Sequence, residues 1–129
     1  MVPGKSFLIM ENSSGGGQKI GVTKKQISDI YKRVDNPRLK ICLDTAHAFA
    51  AGVDFFDLLS LSGVVALHLN DSKTLFSSKN DRHENIGKGF IGLSFFKELA
   101  KNKKARGLDW ILEVPGFSGN GPDKKNINI

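Results

Sequence analysis

The chain has 129 residues, 40% of them apolar and 25% charged, which fits one modest globular domain with a core and excludes a disordered chain. It contains no apolar run long enough to span a bilayer and no charged-then-apolar leader, so no membrane association is expected; the single cysteine, Cys42, cannot close an internal disulfide, and a reducing cytoplasm is the expected compartment. The formal net charge of +6 suits a polyanion such as nucleic acid, and it suits a solvated basic surface equally well.

Along the chain, the first strand-length apolar run is "SFLIM" at 6–10. "TKKQISDIYKRV" at 23–34 then reads as a helix. Thr23 and Gln26 have capping-box spacing, Ile27, Ile30, Tyr31 and Val34 fall on one helical face, and Asn36-Pro37 ends it. "LKICL" at 39–43 is the second strand and "DFFDLLSLS" at 54–62 a short helix. "GVVALHL" at 63–69 is the third strand. "SFFKELAKNKKA" at 94–105 is a helix burying Phe95, Phe96, Leu99 and Ala100, and "DWILEV" at 109–114 is the fourth strand. The tail, 116–129, reads as loop. Continuous apolar strands alternating with helices predict a parallel α/β sheet covered by helices.

In such folds reactive residues gather at the C-terminal ends of strands. Glu11 follows the first run, Asp44 the second with His47 three residues on, His68 closes the third, and Glu113 closes the fourth. Each residue alone has a plain reading. Asp44 could cap a following turn, His68 could be a hydrogen-bonded core residue, and Asp81 and His83 in "NDRH" could be turn residues. Together, Glu, Asp, His and Glu on four successive strands are hard to obtain from packing. Carboxylates and imidazoles on one rim call for a neutralising cation, and mixed nitrogen and oxygen donors suit zinc or manganese. Cys42 lies on the same face as Asp44, one layer deeper, and reads as core.

"CLDTAHAFAAGVD" at 42–54, "HLNDSK" at 68–73, "DRHENIGKGFIG" at 81–92 and "ILEVPG" at 111–116 closely resemble the signature segments of endonuclease IV, the type 2 apurinic/apyrimidinic endonucleases. "MENSSGGGQKIG" at 10–21 resembles that family's strand-end glutamate and following loop. The resemblance implies a TIM barrel holding three zinc ions, which hydrolyses DNA on the 5′ side of abasic sites in a duplex and leaves a 3′-hydroxyl. It implies that Glu11 bridges two metals and has the catalytic role, that Asp44, His68 and Glu113 complete the second metal, and that His47, Asp81 and His83 hold the third. Asp81 and His83 are two apart, so in an extended segment both face one ion.

A complete barrel takes roughly 250 residues. The resemblance covers only the C-terminal half of the family's barrel, with four strands in a single span, 1–129. The two histidines that complete the first metal have no counterpart, so this chain is expected to hold two zinc ions, with manganese as the other candidate metal. Lys73, Lys79, Arg82 and Lys88 flank the metal loop and read either as phosphate contacts or as solvated charges. Gly16 and Gly17 allow close approach of a DNA backbone, or simply permit a turn. Strands near Leu8 and Ile111 would be open edges, which implies self-association or a complementing N-terminal half. The alternatives are a divalent-metal sugar isomerase or epimerase on the xylose-isomerase-like barrel, which has no use for His47 and "DRH", and a non-catalytic DNA-binding remnant.

Overall fold

Strand β2 (Leu39–Asp44) is buried along nearly its whole length, because it lies inside a sheet and carries apolar side chains on both faces. It pairs in parallel with β1 (Leu8–Glu11) on one side and β3 (Val64–His68) on the other, and β3 pairs in parallel with β6 (Asp109–Ile111). The sheet order is therefore β1-β2-β3-β6, the four-stranded parallel α/β arrangement that the sequence predicts. The structure, a computed structural model, describes residues 4–128. The ends of the expected single span, residues 1–3 and 129, lie outside the described residues.

Helices α1 (Lys24–Val34), α2 (Thr45–Ala51), α3 (Phe55–Leu59) and α4 (Leu93–Lys101) cover the sheet. Ile41, Leu43 and Leu67 from the sheet pack with Ile27, Leu58 and Leu99 from the helices, all essentially inaccessible to water. Each such side chain contributes roughly 1.5–3 kcal/mol relative to exposure. The capping box forms as expected: the Thr23 hydroxyl accepts from the Gln26 N–H and the Gln26 side chain accepts from the Thr23 N–H. Ala100, read as buried from the sequence, needs correction, and Val34 on the apolar face of α1 is open to solvent too. Val34 ends α1 beside the open sheet edge, and Ala100 lines a surface groove.

Further elements go beyond the predicted ones. Helix α2 starts immediately after β2, because the Asp44 carboxylate accepts from the His47 N–H as an N-cap. Short strands β4 (Asp71–Ser72) and β5 (His83–Glu84) pair antiparallel and tie the loop after β3 into a ribbon. The tail, read as loop over 116–129, holds a single helical turn, α5 (Lys124–Ile127). Its glycines and proline read as turn signals, but Asp123 and Asn126 form a capping box, and the Asn126 amide donates to the buried Asn85 at 2.9 Å.

Among the described residues, neither β1 nor β6 has a partner on its outer side. Phe7, Leu8 and Ile9 on one side and Trp110 and Ile111 on the other are all more than two-fifths exposed. No helix among the described residues is long and apolar enough to cross a membrane.

Candidate metal centre

The parallel register places Asp44 beside His68 and His68 beside Ile111, so the C-terminal ends of the strands share one rim. There Glu11 Oε1 lies 2.9 Å and Glu113 Oε2 3.2 Å from His68 Nδ1, with Asp44 Oδ2 at 3.9 Å. Glu11, Asp44, His68 and Glu113 each offer one ligand atom within 4.8 Å of the others. Asp44 is fully buried, whereas Glu11 and Glu113 are partly open to solvent.

A second group adjoins the first. His47 Nε2 lies 3.0 Å from Asp81 Oδ2, His83 Nε2 lies 3.2 Å from Asp81 Oδ1, and His83 Nε2 is 3.8 Å from Asp44 Oδ2. Asp44, His47 and His83 converge within 4.8 Å, so Asp44 stands between the two groups. The Nδ1 atoms of His47 and His83 face main-chain oxygens, those of Asn12 at 2.9 Å and Glu113 at 3.3 Å. This arrangement turns both Nε2 atoms inward, the orientation typical of ligating imidazoles. His83 Nε2 and Asp81 Oδ1 are shielded from solvent and make no hydrogen bond among the described residues. Two orphaned buried polar atoms side by side are costly as they stand, and a cation between them removes the cost.

The charge balance points the same way. Four carboxylates share this rim with three imidazoles. Burial of the His47 ring opposes its protonation, but the Asp44 and Asp81 carboxylates, the Asn12 carbonyl and Glu11 outweigh it and raise its pKa. All seven residues singled out in the sequence as ligands are therefore brought together. The surrounding asparagines were not singled out. The Asn12 side chain pairs with both the N–H and C=O of Asp44, at 2.7 and 3.2 Å, and Asn70 bonds Asp44 and Glu113 at once. The signal lies in "EN" and "HLN", where an amide follows Glu11 directly and His68 two residues on. Asp71, also passed over, is fully buried and accepts from the N–H groups of Ser72, Gly87, Ile91 and Gly92, pinning the 85–92 loop.

The basic and glycine residues lie around this rim's loops. Lys73, Lys79, Arg82 and Lys88 are exposed; Lys73 stands 4.0 Å from Glu84, and Arg82 donates to the Asp81 carbonyl. The Lys79 N–H donates to the Ala50 carbonyl, docking its loop on the end of α2. Gly16 abuts the Lys79 carbonyl, where a Cβ would sit 3.0 Å away, and Gly17 has a left-handed φ of 64° with open space beside it. An apolar cavity of about 580 Å³ between α4, β6 and α5 is lined by none of the seven ligand candidates, and its position gives it no part in the chemistry at the rim.

Comparison with known proteins identifies the family. The family described as xylose isomerase-like TIM barrel matches residues 6–128. A protein of Akkermansia muciniphila named probable endonuclease 4 is 40% identical over 123 residues, covering 86% of this chain and 44% of that protein. The apurinic-apyrimidinic endonuclease 1 of Plasmodium falciparum is 36% identical over 126 residues, covering 87% of this chain and 21% of that one. The crystal structure of endonuclease IV from Thermus thermophilus superimposes with a TM-score of 0.78 at 30% identity, over 95% of this chain and 47% of that one. The chain thus spans under half the length of the relatives named here. By the match over 6–128, and with its resemblance to the endonuclease IV proteins, the chain belongs to the xylose isomerase-like TIM barrel family.

Proposed function

We propose that this chain carries two of the metal sites of a DNA repair endonuclease that hydrolyses the phosphodiester 5′ to abasic sites in duplex DNA. The observation that carries the reading is the pair of orphaned, inward-facing atoms, His83 Nε2 and Asp81 Oδ1, within a cluster of imidazoles and carboxylates on one sheet rim. Relatives named endonuclease 4 and apurinic-apyrimidinic endonuclease supply the substrate class. Glu11, Asp44, His68 and Glu113 would hold one ion, and His47, Asp81 and His83 a second, with Asp44 Oδ2 between them. The donor set of nitrogen and oxygen fits zinc, with manganese second. Bound there, the metal supplies Lewis acidity for attack of water on phosphorus and for departure of the 3′ oxygen.

The chain's own groups do the rest. Glu11, one of the two partly exposed carboxylates of the first group, is placed to accept a hydrogen bond from the attacking water and orient it. Lys73, Lys79, Arg82 and Lys88 hold backbone phosphates, and the Gly16–Gly17 turn lets the duplex approach. Water attacks phosphorus, the bond to the 3′ oxygen breaks, and no covalent enzyme intermediate is formed. A one-metal sugar isomerase on this family's barrel would use the first group and leave His47, Asp81 and His83 without a task.

The open edges belong to the same reading. A complementing half-barrel, equivalent to the part of the Thermus protein that this chain does not cover, would pair with both β1 and β6 and bury their apolar residues. The experiment is elemental analysis of the purified chain, followed by cleavage of an abasic-site duplex with and without the first half of a relative. Zinc in the chain and cleavage restored by the added half support the proposal. A metal-free chain that never cleaves would overturn it.

A further inference from the structure

Asn70 sits two residues after His68, at the end of β3, and is fully buried. Its side-chain Oδ1 accepts from the Glu113 N–H at 2.9 Å, which fixes the amide's orientation and turns Nδ2 to Asp44, where it donates to Oδ2 at 2.7 Å. The other Asp44 oxygen accepts from the His47 N–H at 2.9 Å. Both oxygens of a buried carboxylate are thereby held, and its rotamer has no freedom left. The Asn70 main chain is fixed in turn, because the Thr45 hydroxyl donates to its carbonyl at 2.7 Å and accepts from its N–H at 2.9 Å. One amide therefore links the rim ends of β2, β3 and β6. Asp44 Oδ2 still faces His68 and His83, at 3.9 and 3.8 Å, with lone-pair capacity to spare.

We infer that Asn70 is a positioning residue for the metal centre: its amide holds the Asp44 carboxylate and the Glu113 backbone in ligating geometry. The inference rests on the metal reading above. A group that fixes a ligand in this way tunes affinity without touching the ion, with losses of about 10–100-fold when it is removed. Mere packing of a buried amide would instead affect folding and leave the site's geometry alone.

Asn70→Asp separates the two roles. The carboxylate has nearly the same shape and still accepts from Glu113, but it gives Asp44 a like charge in place of a donor. The measurements are zinc affinity by competition with a chromophoric chelator, the absorption spectrum of the cobalt-substituted chain, and the thermal midpoint. Leu69→Ala, a neighbouring buried change with no polar role, is the control for destabilisation. Zinc affinity falling about 10–100-fold, with altered cobalt bands, in Asn70→Asp but not in Leu69→Ala is the expected result. Unchanged affinity and cobalt bands, or an equal loss in Leu69→Ala, would overturn the inference. Should Asn70→Asp not fold, Thr45→Val, which cuts the hydroxyl bridge and spares the amide, is expected to weaken zinc binding by a smaller factor; wild-type affinity in that variant is equally fatal. Absence of zinc from the unaltered chain would instead overturn the metal reading itself.

Discussion

His83 Nε2 and Asp81 Oδ1 lie 3.2 Å apart, sealed from solvent, without a hydrogen bond between them. Their chain positions explain the closeness: they flank Arg82, and the segment is extended into β5, so both side chains leave the same side. The purified chain is expected to contain about two zinc equivalents, one per group of ligands. His83→Ala should remove one and spare the other, read by elemental analysis after dialysis. Loss of all metal, or of none, would contradict separate sites.

Abasic-site cleavage by the chain alone should be weak or undetectable. The three histidines of this sequence all lie in the two groups described, which leaves none for the further metal that the family resemblance implies, and a metal supplies several kcal/mol of charge stabilisation, so turnover at least about 100-fold below a full-length relative is expected. Glu11→Gln should abolish any residual rate. Turnover matching a full-length relative would refute this.

Alone in solution, the chain should self-associate or precipitate, because β1 and β6 offer unpaired backbone beside exposed Leu8, Ile9, Trp110 and Ile111. Adding the first half of a relative should convert it to a one-to-one complex. Light scattering at several concentrations decides, and a monodisperse monomer with a cooperative thermal transition is the result that would count against it.

Cys42 should be inert in the folded chain. It is 3% exposed, and burial, with the Glu11 carboxylate nearby, pushes its thiol up to about 12. At about pH 8 almost none is thiolate, so a disulfide reagent should label it only after denaturant is added. Rapid native labelling would show that the sheet opens.

Gly89→Ala should destabilise by about 1–3 kcal/mol, since a Cβ there would strike the Ser72 carbonyl and the Asp71 carboxylate beneath the 85–92 loop. The urea midpoint checks this; an unchanged midpoint would mean that the loop shifts freely.

The sheet and its rim were legible because both follow from local pattern. Four apolar runs set the strands, and an ionisable residue at the end of each run set the candidate ligand positions at Glu11, Asp44, His68 and Glu113. The ribbon β4–β5 was not legible, since two-residue strands leave no alternation to read. Helix α2 hid behind a single polar feature, the Asp44 cap, and α5 behind neighbouring glycines. Asn12 and Asn70 escaped because the need for an amide arises only once distant strand ends meet.

The Asn12 amide that pairs with both main-chain groups of Asp44 acts as one further rung beyond the last residue of β1. An edge strand of four residues ordinarily frays from both ends. Here the end bearing Glu11 carries this side-chain tie to β2 in addition to the ladder, while at the Leu8 end the main-chain N–H donates to the Arg38 carbonyl at 2.9 Å. Amide hydrogen exchange should therefore run as a gradient along β1 and its neighbour, fast at Leu8 and slow at Asp44. The edge would breathe like a hinge whose fixed side is the one that carries Glu11 and Asp44.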